Sequence, residues 1–277
     1  MAEPGKINNL RVVKQLAAGM YLDGEDLGEI LLPNRYIPEN CRINDRLDVF
    51  IYFDSEDRII ATTQKPYAQA GETAWLKVVD ITDVGAFLDW GLAKDLLVPY
   101  SEQVQPMKKG RFYLVYIYID MESQLIAASM RLEKFIAKQS VDLSEGQAVG
   151  LTIACQTDLG YKAVIDHKVW GVLYQSEIFQ ELAIGQKIGG WVKKVRLDGK
   201  IDLCLQKSGY EKVPDIAEKI ICVIAAHGGF IDVTDKNSAE EINDIFGVSK
   251  KTFKKAIGAL YKSRRITLEK DGIALSR

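Results

Sequence analysis

The chain has 277 residues, of which 47% are apolar and 27% are charged, and its formal net charge at pH 7 is −2. This composition excludes an intrinsically disordered chain, and no stretch reaches the ~20 apolar residues of a membrane helix. The N-terminus, MAEPGKINNL, lacks a basic start followed by an apolar segment. We therefore expect no signal peptide, no membrane partner and a cytoplasmic location.

The sequence carries no signature of a metal, cofactor or catalytic site. Its four cysteines are scattered without a C-x-x-C pair, and its two histidines, His167 and His227, are far apart. A zinc cage is therefore not expected, and the cysteines of a cytosolic chain predict buried thiols and not disulfides. Neither a Ser/His/Asp order nor a Gly-rich phosphate loop is present. We expect no cofactor, no metal and no enzymatic activity.

Residues 71–131 predict a small barrel of five short strands. The predicted strands are at 74–80, 85–89, 96–102, 112–120 and 124–130. Short strands at regular spacing, separated by turn residues, favour a small antiparallel barrel. Barrels of this kind use one face and its loops to bind oligonucleotides.

The same order of landmarks occurs three times along the chain. In each copy a glycine opens the second strand, and a later long strand ends at an aspartate before a hairpin. The glycines are Gly19, Gly85 and Gly160, and the aspartates are Asp54, Asp120 and Asp198. The segment after the second strand begins 14 residues beyond the glycine each time, and the aspartate follows by 35, 35 and 38 residues. Landmarks that stay in step predict three tandem barrels.

From about Pro214 the apolar spacing changes from that of strands to that of helices. The predicted elements are a helix at 215–226, a strand at 230–233, a second helix after Ser238, a third helix after Ser249, and a hairpin at 266–268 and 273–275. Ser238 with Glu241 forms a predicted capping box. This order of elements predicts a winged helix-turn-helix.

Positive charge increases toward the C-terminus. The formal charge is −3 over residues 1–66, −1 over 67–140, 0 over 141–210 and +2 over 211–277. Candidate residues for contact with a polyanion are Trp191, Lys193, Lys194, Arg196, Lys200 and Lys207 in the third copy, and Lys250, Lys251, Lys254, Lys255, Lys262, Arg264 and Arg265 in the tail. The lysines of the third helix lie opposite its apolar stripe. That arrangement also suits a merely solvated surface.

Aromatic residues at one recurrent position are candidate stacking platforms for unpaired bases. Phe87 follows the landmark glycine of its copy by two residues, and Tyr21 holds the same place in the first copy. In the third copy this place is taken by Lys162, beside Tyr161. Strand alternation puts Phe87 on the same face as Asp89, so we expect it on a wet face. Packing inside the barrel is the alternative.

The second copy resembles the S1 RNA-binding domain. Its segments GAFLD (85–89), LVPYSE (97–102), the strand at 115–120 and AASMR (127–131) are similar to the pattern G-A-F-V, L-V-H-x-S-E, a strand ending in Asp, and L-S-x-K. Pro99 stands in place of the pattern's histidine, and Leu125 stands where the hairpin usually has a basic residue. Both departures predict that this copy binds RNA weakly.

The whole arrangement resembles the conserved virulence factor B family. The predicted domains are S1-like barrels at 1–66, 67–138 and 144–208 and a winged helix at 213–277. The resemblance implies a mainly β fold of three five-stranded OB-type barrels followed by an α+β winged helix. It also implies RNA binding and regulation of gene expression after transcription, with the third barrel and the winged helix as the RNA surface.

We expect a non-covalent binder of single-stranded RNA, in which basic groups neutralise phosphates and aromatic rings stack on bases. Two alternatives stay open. The third tail helix could enter the major groove of duplex DNA, although its Lys-rich face has few side chains that read base edges well. The acidic N-terminal barrels could dock a protein partner.

Overall fold

The computed structural model describes residues 1–140, 142–178, 180–206, 213–269 and 271–276, with side chains in the first helix described from residue 216 onward. Lys207, a candidate RNA contact, and Lys270, in the last predicted turn, lie outside the described residues.

The described residues form three five-stranded sheets in chain order, as the three copies predict. The strands of the first are β1 (Ile7–Leu16), β2 (Gly19–Asp23), β3 (Glu29–Pro33), β4 (Arg46–Phe53) and β5 (Ile59–Thr62). Those of the second are β6 (Thr73–Ile81), β7 (Gly85–Asp89), β8 (Leu96–Pro99), β9 (Phe112–Ile119) and β10 (Ile126–Ser129). Those of the third are β11 (Ala148–Thr157), β12 (Gly160–Ile165), β13 (Val169–Tyr174), β14 (Lys187–Val195) and β15 (Ile201–Cys204).

Hydrogen bonding closes the first sheet in the order β1-β2-β3-β5-β4 and the third in the order β11-β12-β13-β15-β14. The second, ordered β10-β9-β6-β7-β8, is nearly closed, because β8 and β10 lie adjacent without a ladder between their described residues. The predicted mainly β fold with three barrels is therefore confirmed.

Each landmark glycine lies where two strands of a barrel approach closely. Gly85 faces Pro99 across β7 and β8, and a Cβ at Gly85 would lie 2.3 Å from the Val98 carbonyl oxygen. The distance to the corresponding carbonyl oxygen is 2.1 Å at Gly19 and 2.2 Å at Gly160. No side chain fits at these distances. The 14-residue spacing is the length of hairpin that brings each glycine opposite its strand partner.

The three landmark aspartates hold the hairpins that follow them. The Asp54 carboxylate accepts the backbone N–H groups of Glu56 and Arg58 at 2.9 and 3.0 Å. Asp120 and Asp198 accept backbone N–H groups in their own hairpins at 2.9 and 3.2 Å. Aspartate recurs at this position because its short side chain bonds turn N–H groups a few residues ahead.

The apolar run of β4 is buried on both faces. Val49 and Ile51 point into the core of the first barrel, whereas Phe50 and Tyr52 pack into the core of the second. The ring of Phe50 meets that of Trp90 edge to face, with centroids 5.6 Å apart. Because both faces of β4 are covered, its sequence lacks the usual alternation of apolar and polar residues.

The second and third barrels meet through a separate apolar cluster. It consists of Leu114, Leu132, Ile136, Val164 and Trp170, with Tyr116 and Ala154 packed against it. The backbone N–H of Thr73 donates a 2.9 Å hydrogen bond to Nδ1 of His167 across this junction. The outward face of β9 therefore contacts the third barrel, and its inward face contributes to the core of the second.

The C-terminal part is the predicted winged helix-turn-helix. Its elements are α1 (Val213–Ala226), β16 (Phe230–Ile231), α2 (Ala239–Phe246), α3 (Lys250–Lys262), β17 (Ile266–Leu268) and β18 (Ile273–Leu275). The capping box of Ser238 with Glu241 is present. The first strand is shorter than the predicted 230–233, because only Phe230 and Ile231 pair with β18, while Val233 is buried in the core.

We expect Gly85→Ala to lower the free energy of unfolding by about 1–3 kcal/mol, because the added methyl group would overlap the Val98 carbonyl. Gly189→Ala is the matched control, since no atom beyond its two chain neighbours lies within 4 Å of its Cβ position. Urea unfolding followed by circular dichroism measures both. Equal stability of the two variants would contradict the close approach.

The junction at His167 should weaken as the pH falls. Because the Thr73 N–H donates to Nδ1, the neutral ring carries its proton on Nε2. Protonation of Nδ1 breaks that bond and leaves only the Thr73 hydroxyl, 2.8 Å away, as a partner that can accept from Nδ1. Burial is the main cause that lowers the pKa of His167 below its ordinary value. The unfolded chain therefore binds this proton more readily. The associated stability is fully present above about pH 6.5 and is lost as the pH falls below that value.

We expect this loss to be about 1 kcal/mol, the net contribution of one hydrogen bond. The measurement is urea unfolding above and below about pH 6.5 for the unaltered protein and for His167→Asn, because asparagine tolerates the positive φ of 64° at this position. The charged groups around the ring, Glu72, Lys187, Asp166 and Lys6, are common to both proteins. An identical pH dependence of the two would exclude His167 as its source.

Candidate nucleic-acid interface

One face of α3 carries the strongest concentration of exposed cations in the tail. The helix begins after Ser249, whose hydroxyl accepts the Thr252 N–H, and it buries Phe253, Ala256, Ile257 and Leu260. Lys251, Lys254, Lys255 and Lys262 are exposed on the remaining surface, while Lys250 is half-buried. The predicted division of α3 into an apolar stripe and a lysine face is therefore observed.

Some of these cations already have partners. The Lys250 ammonium donates to the Asn237 carbonyl oxygen at 2.7 Å, and Lys254 pairs with Asp235 at 3.2 Å. Arg265 forms a two-point contact with the Glu218 carboxylate.

Four cations of α3 and the turn that follows it have no acidic partner among the described side chains. They are Lys251, Lys255, Lys262 and Arg264, and all four are exposed. Lys251 and Lys255 are one helical turn apart, so they repel each other. The surface made by these four residues, hereafter the α3 surface, is open to an anionic partner.

The predicted cations of the third barrel are mostly paired. Lys193 contacts Glu177, whose carboxylate raises the pKa of Lys193. Lys200 pairs with Asp198 at 2.9 Å. Lys194 is exposed, and no described carboxylate pairs with it.

Arg196 and Trp191 complete the predicted set around β14. The Arg196 guanidinium contacts the Asp202 carboxylate at 2.7 Å and the Tyr174 hydroxyl. Trp191 is half-buried. This part of the third barrel thus combines ordered cations with a partly open aromatic ring.

The position predicted at Lys162 and Tyr161 faces the second barrel. The Lys162 ammonium pairs with Glu133 of the connection between the barrels, and it lies 3.8 Å from the ring centroid of Trp170. Tyr161 packs against the core of the third barrel. Lys162 therefore contributes to the junction between the barrels, and its side chain is 31% exposed.

Phe87 is half-buried, whereas its neighbours Ala86 and Leu88 are buried, as the alternation predicts. It lines a cleft of about 360 Å³ at the contact of the first two barrels. The cleft also contains Pro99, Leu125, Tyr52, Tyr118 and Lys94, together with the carboxylates of Asp57, Asp95, Glu102 and Asp120. Burial, followed by the charges of Asp89 and Asp80, raises the pKa of Asp95. This cleft is electrostatically unfavourable for phosphate.

Tyr21 occupies the corresponding place in the first barrel and is half-buried. The Lys14 ammonium lies 5.0 Å from its ring centroid and also pairs with Glu29. The Lys14 ammonium therefore covers the Tyr21 ring.

The sequence analysis did not single out two exposed aromatic residues of the second barrel, Trp75 and Phe112. Their rings stack, with centroids 6.3 Å apart and an interplanar angle of 17°. The alternation of Trp75, Leu76 and Lys77 in β6 was an available signal, because the two flanking residues are exposed and Leu76 is buried.

No helix in the described part of the chain is long and apolar enough to cross a membrane. The same residues contain no group of three or more His, Cys, Asp or Glu side chains that could hold a metal ion.

Comparison with known proteins agrees with this architecture. An S1 domain model matches residues 4–64 and 70–129, and a CvfB-like winged helix domain model matches residues 218–275. The protein YitL of Bacillus subtilis is 30% identical, over 96% of this chain and 91% of its own. Conserved virulence factor B of Staphylococcus saprophyticus is 23% identical, over 99% of this chain and 94% of its own.

The chain belongs to the conserved virulence factor B family. The Staphylococcus aureus member is likewise 23% identical, over 99% of this chain and 94% of its own. A solved structure from Streptococcus pneumoniae, described as a multidomain protein with nucleic acid binding domains, aligns over 98% of both chains with 22% identity and a TM-score of 0.40. S1 and winged-helix domains are nucleic-acid-binding families and not enzyme classes, so the chain is built from nucleic-acid-binding domains.

We expect Phe87→Ala to weaken single-stranded RNA binding by about 1 kcal/mol, the low end for a stacked base, because carboxylates surround the ring. The free energy of unfolding should fall by less than the ~3–5 kcal/mol of a buried phenylalanine. Leu88→Ala, at the buried neighbour, is the control and should destabilise by about 2–5 kcal/mol. One titration and one thermal melt per variant separate stacking from packing. A strongly destabilised Phe87→Ala protein with intact affinity would exclude the stacking role.

Proposed function

We propose that this protein binds single-stranded RNA in the cytoplasm and regulates gene expression after transcription. Binding is non-covalent and uses mainly the third barrel and the winged helix. The observation that carries the proposal is the α3 surface, where four exposed cations have no described acidic partner, in a chain whose net charge is −2.

The α3 surface favours an anionic polymer over plain solvation. Lys251 and Lys255 are separated by one turn, a spacing at which like charges destabilise a helix by a few tenths of a kcal/mol. Phosphates bound between them would remove that repulsion, and each neutralised phosphate releases counterions.

The third barrel adds cations whose present ion pairs are weak enough for a phosphate to replace. The side chains of Lys193 and Lys200 are 40% and 58% exposed, and exposed ion pairs contribute only about 0–1 kcal/mol. A phosphate can therefore replace Glu177 or Asp198 as the partner. Trp191, on the same strand as Lys193, offers a ring for stacking on an unpaired base.

Duplex DNA is the second candidate partner, because α3 holds the place of a recognition helix in the winged helix-turn-helix. Its exposed residues are lysines and Tyr261. Lysine contacts phosphate as a point charge, whereas the side chains that best distinguish bases in a groove are arginine, asparagine and glutamine. The composition of α3 therefore favours backbone contacts over base readout.

We expect Lys251→Ala/Lys255→Ala to weaken binding of the full chain to single-stranded RNA. The slope of log K against log salt should flatten by about 0.7 for each phosphate that is no longer neutralised, and thus by about 1.4 for two. Filter binding at several salt concentrations measures the slope, and a thermal melt checks the fold.

The matched control is Arg42→Ala/Lys65→Ala, which also removes two exposed cations. Arg42 precedes β4 of the first barrel, and Lys65 follows β5. Its slope should equal that of the unaltered protein. A slope that is also unchanged in the Lys251/Lys255 variant would identify the α3 surface as merely solvated. Tighter binding of duplex DNA than of single-stranded RNA would favour the DNA alternative.

A further inference from the structure

The outer surface of the second barrel carries an aromatic pair that its own core does not use. Trp75 is 37% exposed and Phe112 is 48% exposed, and their rings stack on each other. Side chains from Trp75 to Val78 alternate between the two faces of β6, so that Leu76 and Val78 fill the core while Trp75 and Lys77 are exposed. The pair is therefore on the side of β6 and β9 that faces away from the barrel interior.

Four cations lie on β6 next to this pair or on the turn at the adjoining end of the barrel. Lys77 is the strand partner of Phe112, and the turn before Phe112 contributes Lys108, Lys109 and Arg111. Hydrogen bonds of Gly110 and Arg111 with the Val78 backbone, at 2.8 and 2.9 Å, hold this turn against the end of β6. Half of the eight Lys and Arg residues between positions 67 and 140 are thus gathered at one end of the barrel.

Two carboxylates accompany these cations. Asp80 pairs with Lys109 at 3.0 Å, and Asp89, opposite Lys77 on β7, accepts the Gly91 N–H. No described carboxylate forms an ion pair with Lys77, Lys108 or Arg111, and all three are exposed. We name the surface formed by Trp75, Lys77, Lys108, Arg111 and Phe112 the β6–β9 patch.

The β6–β9 patch and the Phe87 cleft have opposite charge. The cleft contains four carboxylates and one lysine, Lys94, which pairs with Asp57 at 2.8 Å. The patch contains three unpaired cations next to two stacked rings. Within the second barrel, unpaired cations and exposed rings thus lie together on the patch, whereas carboxylates surround the aromatic ring of the cleft.

We propose that the β6–β9 patch is a second contact site for single-stranded RNA, in addition to the α3 surface and the third barrel. Bases stack on Phe112 and the open part of Trp75, and Lys77, Lys108 and Arg111 contact the flanking phosphates. This assignment rests on the proposed function, because it extends the same RNA ligand onto the second barrel.

The patch also adjoins the third barrel, which the proposed function assigns to RNA. The Trp75 ring lies against the backbone of Gly185, where a Cβ would be 2.2 Å from the ring. The neighbouring Ile184 is 44% exposed. The patch and the third barrel therefore adjoin at Trp75.

The test is fluorescence anisotropy of the full chain with a labelled oligouridylate. Lys77→Ala/Arg111→Ala should weaken binding and flatten the salt slope by about 1.4, the value for two phosphate contacts on a single strand. Arg42→Ala/Lys65→Ala removes the same charge elsewhere and should leave both unchanged.

A second pair of variants isolates stacking. Phe112→Leu keeps an apolar side chain without a ring and should weaken binding about fivefold, the equivalent of about 1 kcal/mol. Phe112→Tyr keeps the ring and should retain the affinity. Because Lys77 and Arg111 are exposed, their double variant keeps the test decisive even if Phe112→Leu lowers the melting temperature.

The outcomes separate this inference from the proposed function. If both the Lys77/Arg111 variant and Phe112→Leu bind like the unaltered protein while Lys251→Ala/Lys255→Ala is weakened, the patch is excluded and the proposed function stands. If the patch variants are weakened, the second site is established whatever the Lys251/Lys255 variant does. If the unaltered protein does not bind the oligouridylate, both are overturned.

Discussion

The structure depends on one contact that is made three times, the approach of a glycine backbone to a carbonyl of the neighbouring strand. At Gly19, Gly85 and Gly160 a Cβ would lie 2.1–2.3 Å from that oxygen. The contact sets where each second strand begins and fixes its register with the third. It therefore also decides which residues face outward two positions later, where Tyr21, Phe87 and Lys162 stand. An outward-facing residue recurs two positions after each glycine because the backbone geometry recurs. The surroundings of that residue differ from one barrel to the next.

Charge pairing, more than charge count, distinguishes the surfaces of this protein. The third barrel has a run of predicted cations along β14 and its hairpin, yet Lys193, Arg196 and Lys200 each have a carboxylate partner. The α3 surface and the β6–β9 patch have cations that no described carboxylate pairs with. Exposed pairs are weak, so the paired cations can still exchange partners. The unpaired ones already present a positive potential to an approaching polyanion.

Features that depend on neighbours in sequence could be predicted from the sequence. The triplicated barrel order, the capping box at Ser238 and the amphipathic α3 all follow from spacing within short windows. The environment of the candidate site could not be predicted in this way. Glu133 reaches Lys162 across 29 residues, and Thr73 bonds His167 across 94. The carboxylates around Phe87 come from positions between Asp57 and Asp120. Only the packing of one barrel against the next brings them together.

The burial of β4 on both faces has a consequence for how the chain acquires its structure. Phe50 and Tyr52 of the first barrel belong to the same apolar cluster as Trp90 and Leu96 of the second. During synthesis from the N-terminus, the first barrel can complete its own interior while one side of β4 still faces water, and that side is covered only after Trp90 has emerged. Loss of either barrel exposes the shared cluster, so the two should unfold as one cooperative unit. The first and second barrels, although separate in sequence, thus fold as a single unit.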